Sequence, residues 1–128
     1  MRKRIYVTGP INRSNEYTLK TSQINLSILC RRIILLGHIP YCLVAQVDDY
    51  LQDSRLTKVP GSWIESMCAP VMDLCEILCY IPEMAAMPDP ITSTEKDLWR
   101  ISGKRMVTAD VITKFLIEGR EGMFYGRS

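Results

Sequence analysis

The stretch Ile5-Tyr6-Val7-Thr8-Gly9-Pro10-Ile11-Asn12-Arg13-Ser14 is the first place where residue types and order suit a small ligand. Its β-branched and aromatic start reads as a buried strand, which Gly9 and Pro10 stop before a helical pattern begins. A strand that breaks at a glycine and feeds a helix leaves backbone open to close approach. The helix start then offers N–H donors to a phosphate or ribose. The same unit also serves as a plain core strand and tight turn that binds nothing. Other chemistry-bearing side chains are few. Glu95 follows Thr92-Ser93-Thr94 with the spacing of a capping box, in which the glutamate satisfies the cap N–H. Asp48, Asp49 and Asp53 form a carboxylate cluster of the kind that marks a solvated loop or short helix, in a segment long enough for an active-site loop. His38 is the one histidine, beside a helix stop, and reads as a turn residue. Five cysteines without a C-x-x-C, together with that one histidine, argue against a zinc site. They read as buried small hydrophobes in a reducing cytoplasm, and no metal or cofactor is expected.

The elements that must position these residues follow from periodicity. A helix is expected from Asn15 to Leu36, with Tyr17, Ile24, Ile28, Leu35 and the flanking Leu29 as its apolar face and Gly37 as its stop. His38 to Val44 reads as a second strand, whereas Ala45 to Gly61 has weak periodicity. Ser62-Trp63-Ile64-Glu65 is a capping box opening a helix that runs to about Leu74 despite Pro70. Cys75 to Ile81 is the best internal strand, ended by Pro82, with a Met-, Ala- and Pro-rich loop behind it. The second capping box starts a helix from Thr92 to Ser102, and Gly103 stops it. A short strand over Lys104–Val107, a last helix from Ala109 to Glu118 and a loose glycine-rich tail over 119–128 complete the chain.

Strands alternating with helices predict an α/β fold, a three-layer Rossmann-like (flavodoxin-like) sandwich with a mainly parallel sheet of four to five strands. The strands are expected near Arg4–Thr8, Ile39–Val44, Glu76–Ile81 and Lys104–Val107. At 128 residues the chain is expected to be a single domain. Its 47% hydrophobic and 23% charged residues are those of a soluble globular protein. A net charge of +2 is too slight to argue for a nucleic-acid polymer or an anionic membrane, and Arg2, Lys3 and Arg4 read as a solvated strand entrance. No apolar run approaches the roughly 18 residues of a membrane span, and the start lacks a signal-peptide core, so a cytoplasmic location is expected. Two tryptophans, seven methionines and an apolar middle helix exceed what a small core hides, which predicts a homo-oligomer, most simply a two-fold dimer.

From about Arg4 to Val107 the chain resembles the nucleoside 2-deoxyribosyltransferase-like superfamily, which includes small nucleotide N-glycosidases and short phage or bacterial proteins. The resemblance is carried by Tyr6, Gly9, Pro10 and Ile11 in the first turn, by Leu36-Gly37-His38 after the first helix, and by Cys75-Glu76 ahead of Ile77 to Pro82. Glu95, Gly103 and Lys104 to Val107 complete it. It implies that Glu95 is a nucleophile toward the anomeric carbon of a small nucleoside or nucleotide, the chemistry of retaining glycoside hydrolysis. Tyr6 would then hydrogen-bond the nucleophile or the sugar. Gly9 and Pro10 would let substrate approach the backbone, and Ile11 and Asn12 would line the pocket. Arg13 and Ser14 would receive a 5′-phosphate, and Glu76 would stand for a family aspartate. Trp63 and Trp99 offer stacking surfaces for a base, or belong to a core or dimer interface.

The chain departs from the family where Asp89-Pro90-Ile91 replaces a Ser-x-Gly, leaving Ser93 and Thr94 as the nearby hydroxyls. Trp99 stands where a small alanine is usual, and a middle-helix aspartate falls near Cys68. Two readings follow: cleavage or transfer at an N-glycosidic bond, or a non-catalytic nucleotide-binding protein on the same fold.

Overall fold

The computed structural model describes residues 2–44, 46–47, 61–82 and 90–111. Four strands, β1 (Arg4–Thr8), β2 (Ile39–Tyr41), β3 (Ile77–Tyr80) and β4 (Arg105–Thr108), form one sheet in the order β2-β1-β3-β4. Every pairing is parallel, with Tyr6 opposite Leu78, Thr8 opposite Tyr80, and Tyr80 opposite Thr108. The helices whose bounds are described between them are α1 (Glu16–Leu35), α2 (Gly61–Leu74) and α3 (Pro90–Ser102). Cys30 of α1 lies beside Cys79 on one face of the sheet, whereas α2 and α3, which pack together, bring Cys68 and Glu95 to Tyr6 on the other, the arrangement that right-handed crossovers produce. The result is the expected α/β sandwich of flavodoxin-like strand order. Because both faces are covered, Ile5, Tyr6, Val7, Leu78 and Cys79 have no exposed surface.

Local chemistry explains the element ends. Asn15 caps α1 by accepting from the Thr18 N–H at 2.9 Å, while Thr18 accepts from the Asn15 N–H at 3.2 Å. At the other end Gly37 takes φ +90°, and the Gly37 and His38 N–H groups donate to Ile34 and Ile33 carbonyls. This Schellman turn needs a residue without a Cβ penalty. His38 then accepts from the Lys3 N–H through Nδ1 at 3.0 Å, tying the turn to the start of β1. The turn reading of His38 therefore has a structural basis.

Three expectations change. The strand after His38 ends at Tyr41 rather than Val44, and Val44 begins helix instead. Helices α2 and α3 begin at Gly61 and Pro90, so Ser62 and Thr92 lie inside them and are not caps. A proline suits a first helical position, because its missing N–H has no intrahelical partner there. The third change is the face of α1. The core receives Leu26, Leu29 and Ile33, whereas Tyr17, Ile24, Ile28 and Leu35 are exposed. The Asp48, Asp49 and Asp53 cluster, Asp89, nearly all of the helix expected over Ala109–Glu118 and the 119–128 tail lie outside the described residues. Among the described residues no helix is long and apolar enough to cross a membrane.

Candidate active site under the ends of β1 and β3

In an open parallel sheet the connections from β1 and β3 leave toward opposite sides where the strand order reverses, which opens a crevice at their carboxyl ends. Tyr6 and Thr8 lie two residues apart on β1 and so project to the same face, toward α3. There they meet Glu95. The Tyr6 hydroxyl donates to Glu95 Oε2, and the Thr8 hydroxyl donates to Oε1 at 2.7 Å. Each carboxylate oxygen thus accepts a hydroxyl hydrogen bond. Such bonds are what a buried carboxylate needs, because desolvation without partners is costly. Tyr6, Thr8, Thr92 and Glu95 all have 0% exposure.

Thr92 and Glu95 are three apart on α3 and share a helix face. The Thr92 hydroxyl donates to the Gly9 carbonyl at 2.8 Å, joining α3 to the first residue after β1. Thr8 and Thr92 hydroxyl oxygens are 3.4 Å apart, too long to compete with the Thr8–Glu95 bond. Cys68 of α2 places its sulfur 4.0 Å from Glu95 Oε2. Burial, with the Glu95 charge adding to it, raises the Tyr6 hydroxyl far above its ordinary value, so Tyr6 keeps its proton and acts as a donor. Burial likewise pushes the Cys68 thiol up to about 11, so it stays neutral. Below the site the Trp99 ring stacks near Tyr6, centroids 6.3 Å apart, and its Nε1–H donates to the Arg105 carbonyl at 3.0 Å. Trp99 is core, 1% exposed, while Trp63 is exposed on α2.

Two of the residues singled out by sequence, Tyr6 and Glu95, are brought into contact. Glu95 is the sixth residue of α3 rather than its third, so neither a capping bond nor the field of the first turn accounts for its position. Gly9 lies at the site, but the space a side chain would take is filled: a Cβ there would sit 3.0 Å from Ile81 Cβ and 3.1 Å from Leu26 Cδ2. Its small size serves close packing of β1 against the β3 end and α1. Pro10 is half-buried and Ile11 is buried in the core. Asn12 builds the turn, its N–H donating to Ser22 at 3.0 Å and its Oδ1 accepting from the Ser14 N–H at 3.0 Å. Arg13 is exposed and reaches back to the Ile11 carbonyl at 3.4 Å.

Ser93, half-exposed, sits between Thr92 and Thr94 on α3. Glu76 is elsewhere. It precedes β3 at the amino edge of the sheet, where its N–H donates to the Arg4 carbonyl and its side chain is exposed. The length of a four-residue strand, about 13 Å, separates it from the site edge.

Thr8 and Thr92 were not among the residues expected from sequence. Their signal was available as periodicity: Thr8 is two from Tyr6 on a strand, and Thr92 is three from Glu95 on a helix. Among the described residues no group of three or more His, Cys, Asp or Glu side chains is placed to hold a metal ion. The fold and site together define a doubly wound α/β protein with a hydroxyl-gripped glutamate at its strand-order switch point. No family model matches the chain, and no curated protein matches it.

Proposed function

We propose that the protein cleaves or transfers at the N-glycosidic bond of a small nucleoside or nucleoside 5′-monophosphate, with Glu95 as nucleophile. The observation that carries this reading is the Glu95 carboxylate held on both oxygens by Tyr6 and Thr8 of β1, next to the point where the strand order reverses. A bond forms between a Glu95 oxygen and the anomeric carbon as the carbon–nitrogen bond breaks, its electron pair leaving with the base. Water, or a second base, then displaces the carboxylate and releases the sugar. Tyr6 and Thr8 fix the carboxylate rotamer, so little ordering is left for the transition state. The resemblance in the Tyr6–Ile11 turn and around Glu95 supports the same chemistry. On this reading the protein is a cytoplasmic homodimer that acts on small molecules and not on nucleic-acid polymers or membranes.

A second reading has its own support. Glu95 has no exposed surface and Gly9 is closed over by Ile81 and Leu26. Both count against turnover at Glu95 and so favour the non-catalytic alternative, a nucleotide-binding protein on the same fold. Base release across a panel of deoxynucleosides and their monophosphates separates the two. The enzyme reading expects release by the wild type and a loss of orders of magnitude in Glu95→Gln, with nucleotide binding kept. A slow 2′-fluoro-deoxynucleoside should leave a sugar adduct on Glu95, seen by mass spectrometry. Binding without release in the wild type favours the second reading, and wild-type turnover by Glu95→Gln removes Glu95 from the mechanism.

A further inference from the structure

Helix α1 carries two apolar faces. Numbered as a heptad with Tyr17 at d, the buried Leu26, Leu29 and Ile33 fall at f, b and f, and the half-buried Leu19 and Cys30 at f and c. Directly across the helix, the a and d positions read Tyr17, Thr21, Ile24, Ile28, Arg31 and Leu35. Four of these six are large and apolar, and they are 77%, 56%, 38% and 73% exposed for Tyr17, Ile24, Ile28 and Leu35. A solvent-facing helix surface is ordinarily polar, and an a/d stripe of about 27 Å with only Thr21 and Arg31 between its apolar residues has the pattern of a helix-pair seam.

The stripe also has a symmetry that names its partner. Its apolar residues are placed evenly about the level of residue 26, with Ile24 and Ile28 close to it and Tyr17 and Leu35 far from it. A two-fold axis at that level, perpendicular to the helix, sets Ile24 against Ile28 of a second copy, Tyr17 against Leu35, and Thr21 against Arg31. Each contact then occurs twice, as a two-fold interface requires. A parallel pairing is disfavoured, because it stacks Arg31 on its own copy across the seam, whereas the antiparallel one separates the two by about 15 Å. On the shoulder, exposed Ile34 comes beside the Lys20 stem of the second copy, which covers it while the ammonium stays in water.

We propose that α1 is a homodimer interface, in which two copies of the chain pair their α1 helices antiparallel through Tyr17, Ile24, Ile28 and Leu35. The inference rests on the dimer of the preceding reading and not on its chemistry, because α1 and Glu95 occupy opposite faces of the sheet.

Light scattering and sedimentation of the full chain test it, alongside the base-release assay. The wild type is expected at twice its 14.7 kDa chain mass at micromolar concentration. Ile24→Glu and Ile28→Glu, both at exposed positions, are expected to give single chains with unchanged circular dichroism. Thr21→Glu, which meets Arg31 of the other copy only in the antiparallel register, is expected to tighten the dimer several-fold at low salt. A wild type of single-chain mass up to several hundred micromolar overturns the proposal, leaving the stripe to be covered by the chain's own 112–128 segment or another protein. A dimer that survives Ile24→Glu and Ile28→Glu overturns it as well, and one weakened by Thr21→Glu overturns the antiparallel register. Glu95→Gln is expected to keep the dimer mass whether or not base release is lost, because Glu95 lies on the face of the sheet away from α1.

Discussion

A single carboxylate deep in a small α/β protein is stable only if its surroundings supply what water would, and here two hydroxyls do so. Thr8 is the more instructive donor because it can be changed without altering shape. Thr8→Val keeps the branched side chain against α3 but leaves Glu95 Oε1 without its 2.7 Å donor. Taking a donor from a buried acceptor costs about 1–3 kcal/mol, so the unfolding free energy measured with denaturant should fall by that much, and Thr8→Ser should recover most of it. Tyr6→Phe should lose a similar amount at Oε2. Gly9→Ala makes a different point. Its methyl would press within 3.0 Å of Ile81 Cβ, an atom fixed to the backbone, so overpacking of about 1–3 kcal/mol is expected and should appear as a lowered Tm. The sequence made Gly9 visible as a strand stop. What fills the space beside it depends on Ile81, seventy-two positions on, which no local pattern reports.

At the scale of elements, legibility followed the local signals. Asn15 with Thr18, and Gly37 before His38, mark the ends of α1 through bonds spanning at most five residues, so chain order alone displays them. The starts of α2 and α3 were less legible. Thr92-Ser93-Thr94-Glu95 has the composition of a capping box, yet Pro90 is already helical and the Thr92 and Glu95 side chains serve the sheet instead. Tertiary contact overrides the local motif there. The inner face of α1 was misassigned for a related reason: with apolar residues on two opposite sides, periodicity cannot say which one the sheet takes. One tertiary clamp can be tested directly. Lys104 Nζ donates to the Met72 and Cys75 carbonyls, at 2.7 and 2.6 Å, and lies 4.5 Å from the Trp99 ring centroid. It therefore closes the C-terminal end of α2 and ties it to the entrance of β4. Lys104→Met keeps the stem but loses both bonds, so a destabilisation of about 2 kcal/mol is expected by denaturant unfolding.

For the whole molecule, alternation of apolar strands with helices was enough to name the architecture, because a parallel sheet covered on both faces hides runs such as Ile77–Cys79. The same double covering governs the thiols. Burial raises Cys68 and Cys75 to about 11 and Cys79 to about 12, against an ordinary value of 9.0. The unfolded chain sheds these protons near pH 9, while the folded protein still holds them up to the raised values. Between pH 9 and 11 the native state therefore binds more protons than the unfolded state, and stability must fall as pH rises. Each thiol contributes a slope of up to ~1.4 kcal/mol per pH unit in that window. Cys30 behaves otherwise: a hydrogen bond with Cys42 lowers it, and both are only half-buried. Iodoacetamide at pH 8 followed by mass spectrometry should then label Cys30 and Cys42 on the native protein and spare Cys68, Cys75 and Cys79. Urea midpoints measured from pH 8 to pH 10.5 should decline, and Cys79→Ala should flatten that decline by the share of one thiol. Labelling of Cys79 as fast as Cys30, or midpoints independent of pH over that range, would mean that the sheet does not close over its centre as the fold requires.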